Sequence, residues 1–468
     1  MITTDFINDE RFAGITPFEN RILLASPTMH ETKDENGNDT WVELEYIREA
    51  FKENWITCAG TNLTESEEKC RDYLSAEYAV GLSCGTAAIH LAVKLAAEKL
   101  YGSHSGISTP YGLGMGGSLY GKRVFCSSLT FSATVNPVLY EGGEPILIDS
   151  EYDSWNMDPV ALKKAFEIYP DVKIVIMAHL YGTPGKIDEI KSICDERGAV
   201  LIEDAAESLG ATYKGKQTGT WGDYGIISQN GNKITTGSAG GYLICRTEED
   251  ANKARKWSTQ SREHAPWYEH EELGYNYRMS NVIAGIIRGQ FDFIDDHIAK
   301  KKAIYERYKD GLRDLPVRMN PTGGAMIGEA ETSVAKIGSV VSAPNHWLSC
   351  MIIDKEAMAP CTRSERRYTY HIEKGKSSPS EILEVLDTFN IEGRPIWKPM
   401  HLQPIFRNHA YITATGSGRG TSNAYIEGRN AMDVSADIFE RGLCLPSDIK
   451  MTEEEQDRVI DIIHRCFR

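Results

Sequence analysis

The stretch "LIEDAAESLGATYKGKQTGTWGDYGIISQNGNKITTGSAGG", residues 201–241, contains two short apolar runs, one closing on Asp204 and the other, "YGIIS", on Ser228. A third run starts at Gly241. Apolar runs this short, without polar alternation, suit strands buried on both faces, as in a parallel sheet covered by helices. Glu207 follows Asp204 by three positions, and Lys233 stands in the turn-like "NGNK" beyond Ser228. Two readings fit. One is a strand-end acid capping a loop, followed by a solvated lysine. The other is a ligand site, because open α/β sheets bind ligands at the carboxyl ends of their strands, and a buried acid there needs a cationic partner.

The pattern continues on both sides. "YAVGLS" (78–83), "RVFC" (123–126), "PILID" (145–149), "KIVIMA" (173–178) and "GYLIC" (241–245) are further strand candidates, separated by segments of helical period such as "AAIHLAVKLAAEKL" (87–100). The expected class is α/β, a mostly parallel sheet with helices on both faces. From about 291 the texture changes. "DDHIAKKKAIYERYKDGL" (295–312) reads as a long amphipathic helix, and "SCMIID" (349–354) and "TEEEQDRVIDIIHRC" (452–466) suit a smaller α/β domain. The division expected is 1–290, a large domain with an N-terminal segment, and 291–468, a small C-terminal domain; 468 residues exceed what one core usually serves.

Composition narrows the function. A formal charge of -16 repels phosphate backbones, so nucleic acid is not expected as a partner. "MITTDFINDERF" has neither a basic nor an apolar leader segment, and no apolar run approaches a membrane span; a cytoplasmic location is expected. The ten cysteines form no C-x-x-C pair and read as reduced thiols, with no metal site.

Two glycine-rich segments compete as anion sites. Gly112, Gly114 and Gly117 form a literal G-x-G-x-x-G, but polar, Gly/Pro-broken sequence precedes it and no helix follows, so it reads as a flexible insertion rather than a dinucleotide loop. In "VGLSCGTAAIHLA", by contrast, Gly85 and Thr86 sit between a strand and an Ala-rich helix, where free N–H groups and the positive helix end meet a phosphate. Thr86 also fits a plain N-cap.

Taken in order, "SCGTAAIHLA", "TFSATVNPVLYEGGEPILIDS", "HLYGTPGKIDEI", "IEDAAESLGA", "GNKITTGSAGG", "GYNYRMSNVIAGI" and "GRPIWKPMHLQP" resemble the DegT/DnrJ/EryC1/StrS family of fold type I, pyridoxal phosphate-dependent nucleotide-sugar aminotransferases. The last two are most similar to its UDP-4-keto-6-deoxy-N-acetylhexosamine, bacillosamine-type, branch. The resemblance implies that Lys233 bonds to the cofactor and moves the proton between cofactor and sugar carbons. It implies that Asp204 keeps the ring nitrogen charged, that Phe131 stacks on the ring, and that Glu207 lies near the ring oxygen. Gly85, Thr86 and Ser228 would bind the phosphate, joined by Asn281 from the other subunit of a homodimer with shared active sites. Gln229 departs from the family's usual Phe after that serine. The substrates implied are glutamate and a UDP-linked keto sugar.

Arg278, Arg394, Lys398 and His401 lie in the matched segments and could meet a diphosphate or a donor carboxylate, or form structural ion pairs. Trp397 reads as a packing residue before a base stack, and His90 as a packed helix residue rather than a ligand. Two other functions share this pattern: a sugar dehydratase, whose relatives carry histidine at the lysine position, and a non-catalytic cofactor-binding regulator. Segments 101–121 and 322–340 are where unusual pocket walls or partner contacts are expected.

Overall fold

The computed structural model describes residues 6–102, 107–109, 112–115, 117–322, 342–364, 366–417 and 433–468. Seven of its strands are β1 (Tyr78–Leu82), β2 (Arg123–Ser127), β3 (Glu144–Ile148), β4 (Ile174–Ala178), β5 (Val200–Asp204), β6 (Tyr224–Ser228) and β7 (Gly241–Cys245). They lie in the order β3-β2-β4-β5-β6-β7-β1, and Tyr411–Thr413 and Gly416–Ser417 extend the sheet beyond β3. β7 is antiparallel to both neighbours, while the pairings among β2 to β6 are parallel. Asp204 pairs with Ala178 on one side and Ile226 on the other, so the carboxyl ends of β4, β5 and β6 stand side by side.

Helices cover both faces because the strands are apolar on both. The helix Gly85–Tyr101 packs through Ala88, Leu91, Ala92 and Leu95 on one face. Phe125, Ile146, Phe166 and Ile190 fill the other. Each buried Leu, Ile or Phe among them contributes about 1.5–3 kcal/mol, so the sheet is held as a rigid platform.

A second, four-stranded sheet unites Val317–Met319, Cys350–Ile353, Gly442–Cys444 and Arg394–Pro395. Its core includes Tyr308, Ile382, Phe389, Val459 and Ile463 from the C-terminal part together with Phe6, Phe12, Phe18 and Ile22 from the N-terminal segment. The boundary expected at 290/291 is therefore crossed twice: the N-terminal segment packs on the small body, and Tyr411–Thr413 pairs in parallel with β3 of the large sheet.

The G-x-G-x-x-G segment is not simply a flexible insertion. Ile107–Thr109 and Gly112–Met115 pair as a hairpin, and a turn leads from it into β2 without a helix. Gly117 has φ +70°, and a Cβ there would lie 2.4 Å from the Glu141 backbone, so the position requires glycine. Segment 323–340 and residues 103–106, 110–111 and 116 lie outside the described residues. Among the described residues no helix is long and apolar enough to cross a membrane.

Candidate active site

A cavity of about 590 Å³ opens at the carboxyl ends of the strands. Gly85, Thr86, Phe131, Asp204, Glu207, Ser228, Lys233 and Arg394 all line it. Eight of the sequence-predicted residues thus meet in one place.

The anion end comes from local geometry. β1 ends and the helix begins within three residues, so the N–H groups of Gly85 and Thr86 stand at the start of a 17-residue helix. Gly85 is close-packed: a Cβ there would lie 3.2 Å from Cβ of Ser228, and one on Gly241 would lie 2.8 Å from the Gly85 nitrogen. Small residues at both places let β6, β7 and the helix start converge.

The acid end is buried. Asp204 accepts a hydrogen bond from the Thr134 hydroxyl at 2.6 Å and from the Ala206 N–H at 3.2 Å. Burial raises its pKa, against the hydrogen bond from Thr134 and the charge of Lys233. Glu207 accepts from the Tyr181 N–H at 2.6 Å. Burial pushes its pKa up to about 7, again against the charge of Lys233. Both carboxyls are desolvated, which favours their protonated forms unless further positive charge pairs them.

Lys233 projects from the loop joining β6 to β7. Its amine lies 3.7 Å from Glu207 Oε1 and 4.2 Å from the centroid of the Trp347 ring. Trp347 also donates from Nε1 to the Asn232 carbonyl at 2.6 Å, which clamps the loop from the small body. The departure at Gln229 has a local use. Its side-chain oxygen accepts from the Thr235 hydroxyl at 2.7 Å, and its backbone N–H donates to the Gly240 carbonyl at 3.0 Å, closing the lysine loop with polar bonds.

Four sequence-predicted residues stand outside the cavity lining. Asn281 is fully buried; its oxygen accepts from the Leu63 N–H and its amide donates to the Trp55 carbonyl. Within one protomer this amide ties the helix Thr61–Leu74 to the helix Asn281–Gln290, and Asn281 does not line the cavity of its own chain. Arg278 pairs with Glu67 at 2.5 Å and donates to the Gly81 carbonyl, outside the cavity. His401 is buried between Ser128 and Asp433 at 2.6 and 3.2 Å and stacks on Tyr411, so it is a core residue. Lys398 is half-buried and lies outside the cavity lining. Arg394 alone of that group reaches the cavity, at its exposed rim beside Glu392.

Other lining residues escaped the sequence reading. His179 lies in "HLYGTPGKIDEI", which was a usable signal. Its Nδ1 accepts from the Gly185 N–H, so Nε2 donates to Glu203 at 3.0 Å and the ring is neutral. Trp397, read as packing, lines the cavity, with Phe131 at 5.2 Å and Tyr181 at 5.4 Å between centroids. Trp347, Leu24 and Ala25 come from distant segments and carry no local signal. His90 is packed as expected, bonded to Glu141 at 2.7 Å.

The chain matches the DegT/DnrJ/EryC1/StrS aminotransferase family over residues 39–334 and 350–464. It is 39% identical over 432 residues to EpsN of Bacillus subtilis (strain 168), named as a pyridoxal phosphate-dependent aminotransferase, covering 91% of this chain and 93% of that protein. It is 28% identical over 441 residues to the GDP-perosamine synthase of Caulobacter vibrioides, covering 94% and 96%. The fold superposes on DesI, solved with its TDP-sugar product, with a TM-score of 0.72 at 20% identity, covering 98% of this chain and 96% of that one.

Proposed function

Because the chain belongs to the DegT/DnrJ/EryC1/StrS aminotransferase family and is a pyridoxal phosphate-dependent sugar aminotransferase, we propose that it transfers the amino group of glutamate to UDP-2-acetamido-4-keto-2,6-dideoxyhexose, giving a UDP-4-amino sugar. The observation that carries the reading is the meeting of Lys233, Asp204 and the Gly85–Thr86 helix start around one cavity.

The residues fit the cofactor. Asp204 is a buried anion that a protonated ring nitrogen would pair, reversing the cost of its burial. Gly85, Thr86 and Ser228 would hold the phosphate, Phe131 would pack on the ring, and Glu207 would face the ring oxygen. Pyridoxal phosphate supplies, when bound, the group that carries the amine and the electron sink for the carbanion. Lys233, when neutral, takes the proton from the donor carbon and returns one at the sugar carbon. The Thr134 hydroxyl orients Asp204, and Trp347 covers the amine against water. Arg394 at the rim is placed for the donor carboxylate or the sugar diphosphate.

A homodimer with shared sites fits the exposed apolar side chains Phe51, Trp55, Ile56, Trp267, Tyr268 and Leu273. The likeness to GDP-perosamine synthase favours a second reading, a GDP-linked keto sugar. The test offers the holoenzyme glutamate with UDP-, GDP- or TDP-linked 4-keto sugars and follows 2-oxoglutarate and amino sugar by mass spectrometry. Turnover of the UDP sugar is expected. Turnover of the GDP sugar alone overturns the UDP assignment, and turnover of none overturns the reading.

A further inference from the structure

Behind the lysine loop, outside the main cavity, two histidines bridge three parts of the chain. His30 Nδ1 lies 2.6 Å from Glu43 Oε1, His30 Nε2 lies 3.0 Å from His297 Nε2, and His297 Nδ1 lies 2.8 Å from the carbonyl oxygen of Ile234, the residue after Lys233. Glu43 and His297 are buried, and Phe293 stacks on the His30 ring at 3.5 Å. A second cavity of about 10 Å³, roughly one water, is walled by Lys233, His297, Lys301, Ser26 and Thr28.

The hydrogens can be counted. A carboxylate and a carbonyl only accept, so both Nδ1 atoms carry hydrogen. The contact between the two Nε2 atoms needs one more. Three hydrogens on two rings is one beyond the two that a neutral pair holds. We propose that His30 and His297 share one surplus proton, with Glu43 as counter-ion, and that this charged pair is the positioning device that holds the Ile234 carbonyl, and hence Lys233, against the N-terminal strap 24–30.

The surroundings agree. Burial works against Glu43 as an anion, yet the hydrogen bonds from His30 and Gln290 hold it below the ordinary carboxylate range. Burial works against a full positive charge on His297. Gln290 reinforces the same junction, donating to Glu43 and the Thr28 carbonyl and accepting from the Thr236 N–H. The other charged groups facing the pair are Lys233 on the loop, and Asp296, Lys300 and buried Lys301 on the helix Ile294–Gly311; burial lowers Lys301 to about 8, with Asp448 opposing. Leu24 and Ala25 of the strap line the main cavity, so one latch sets both a wall and the lysine.

The test uses cofactor-free protein, so its outcome is separate from the assignment of substrate. In wild type labelled with ¹⁵N-histidine, nuclear magnetic resonance at about pH 6 should show Nδ1 of both His30 and His297 protonated and a third proton between their Nε2 atoms, with one proton lost from the pair as pH rises. Two neutral rings at that pH overturn the proposal, with no variant needed. Amide hydrogen exchange over residues 230–236 reads the positioning. His30→Gln restores the bridge without titrating, because its amide has two hydrogens, one for Glu43 and one for His297 Nε2. Wild type should match His30→Gln at about pH 6 and exchange about tenfold faster than it at about pH 9, while His297→Leu should be faster than both at either pH. A wild-type to His30→Gln ratio that does not change with pH, or His297→Leu protection equal to wild type at the lower pH, overturns the positioning role.

Discussion

The amine of Lys233 lies 3.7 Å from Oε1 of Glu207, although the two side chains come from loops after different strands of the sheet. Glu207 is buried, and its pKa is pushed up to about 7. In the unfolded chain a glutamate titrates near 4.5. Because the folded value is the higher one, the folded protein binds the extra proton between these values. The associated stability is full below the unfolded value and is lost as pH rises through 7. Cofactor-free wild type should therefore lose about 2–3 kcal/mol between about pH 4.5 and pH 8 from this group. Glu207→Gln should flatten that part of the profile, measured by urea unfolding at each pH. An unchanged slope means that Lys233 already neutralises the burial cost.

Lys233→Ala should still bind pyridoxamine phosphate, since Asp204 and the helix start remain. Its transamination rate should fall by at least about a thousandfold, because the group that moves the proton is gone. Equilibrium dialysis and stopped-flow absorbance separate the two effects. Near-normal turnover removes Lys233 from the reaction.

Asp204→Asn keeps the Thr134 contact and the shape of the site but removes the anion. A rate loss of about 10²–10³-fold, with a much smaller loss of cofactor affinity, is expected if Asp204 serves the ring nitrogen. Unchanged kinetics would make it a loop cap.

Arg394 and Arg278 should behave oppositely, since only the first lines the cavity. Arg394→Ala should raise the KM of one substrate about 10–100-fold, the loss of a charge-assisted hydrogen bond, with little change in melting temperature. Arg278→Ala should instead lower the melting temperature, because it removes one of the two arginines paired with half-buried Glu67 and the donor to the Gly81 carbonyl, and leave KM unchanged. Steady-state kinetics beside thermal unfolding decides between them, and a KM effect at Arg278 would reverse its assignment here.

The alternation of apolar runs, the helix beginning at Gly85, the acid closing β5 and the lysine loop were legible in the sequence because each depends on residues close together in the chain. Side-chain period and the conformational freedom of glycine act over a few residues. The within-chain partners of Arg278, Asn281 and His401 were not legible, because a polar residue in a matched segment looks the same whether it faces a ligand or Glu67, Leu63 or Asp433. Which partner it finds is set by packing between segments far apart in sequence, where the cost of a buried unpaired charge or amide selects the contact. For the same reason the clamp of Trp347 on the lysine loop, the return of Tyr411–Thr413 to the large sheet and the bridge from Glu43 through His30 and His297 to Ile234 were decided only by the tertiary structure. Local sequence determines the elements and the carboxyl-end site they create; long-range burial determines which polar side chains remain there to do chemistry.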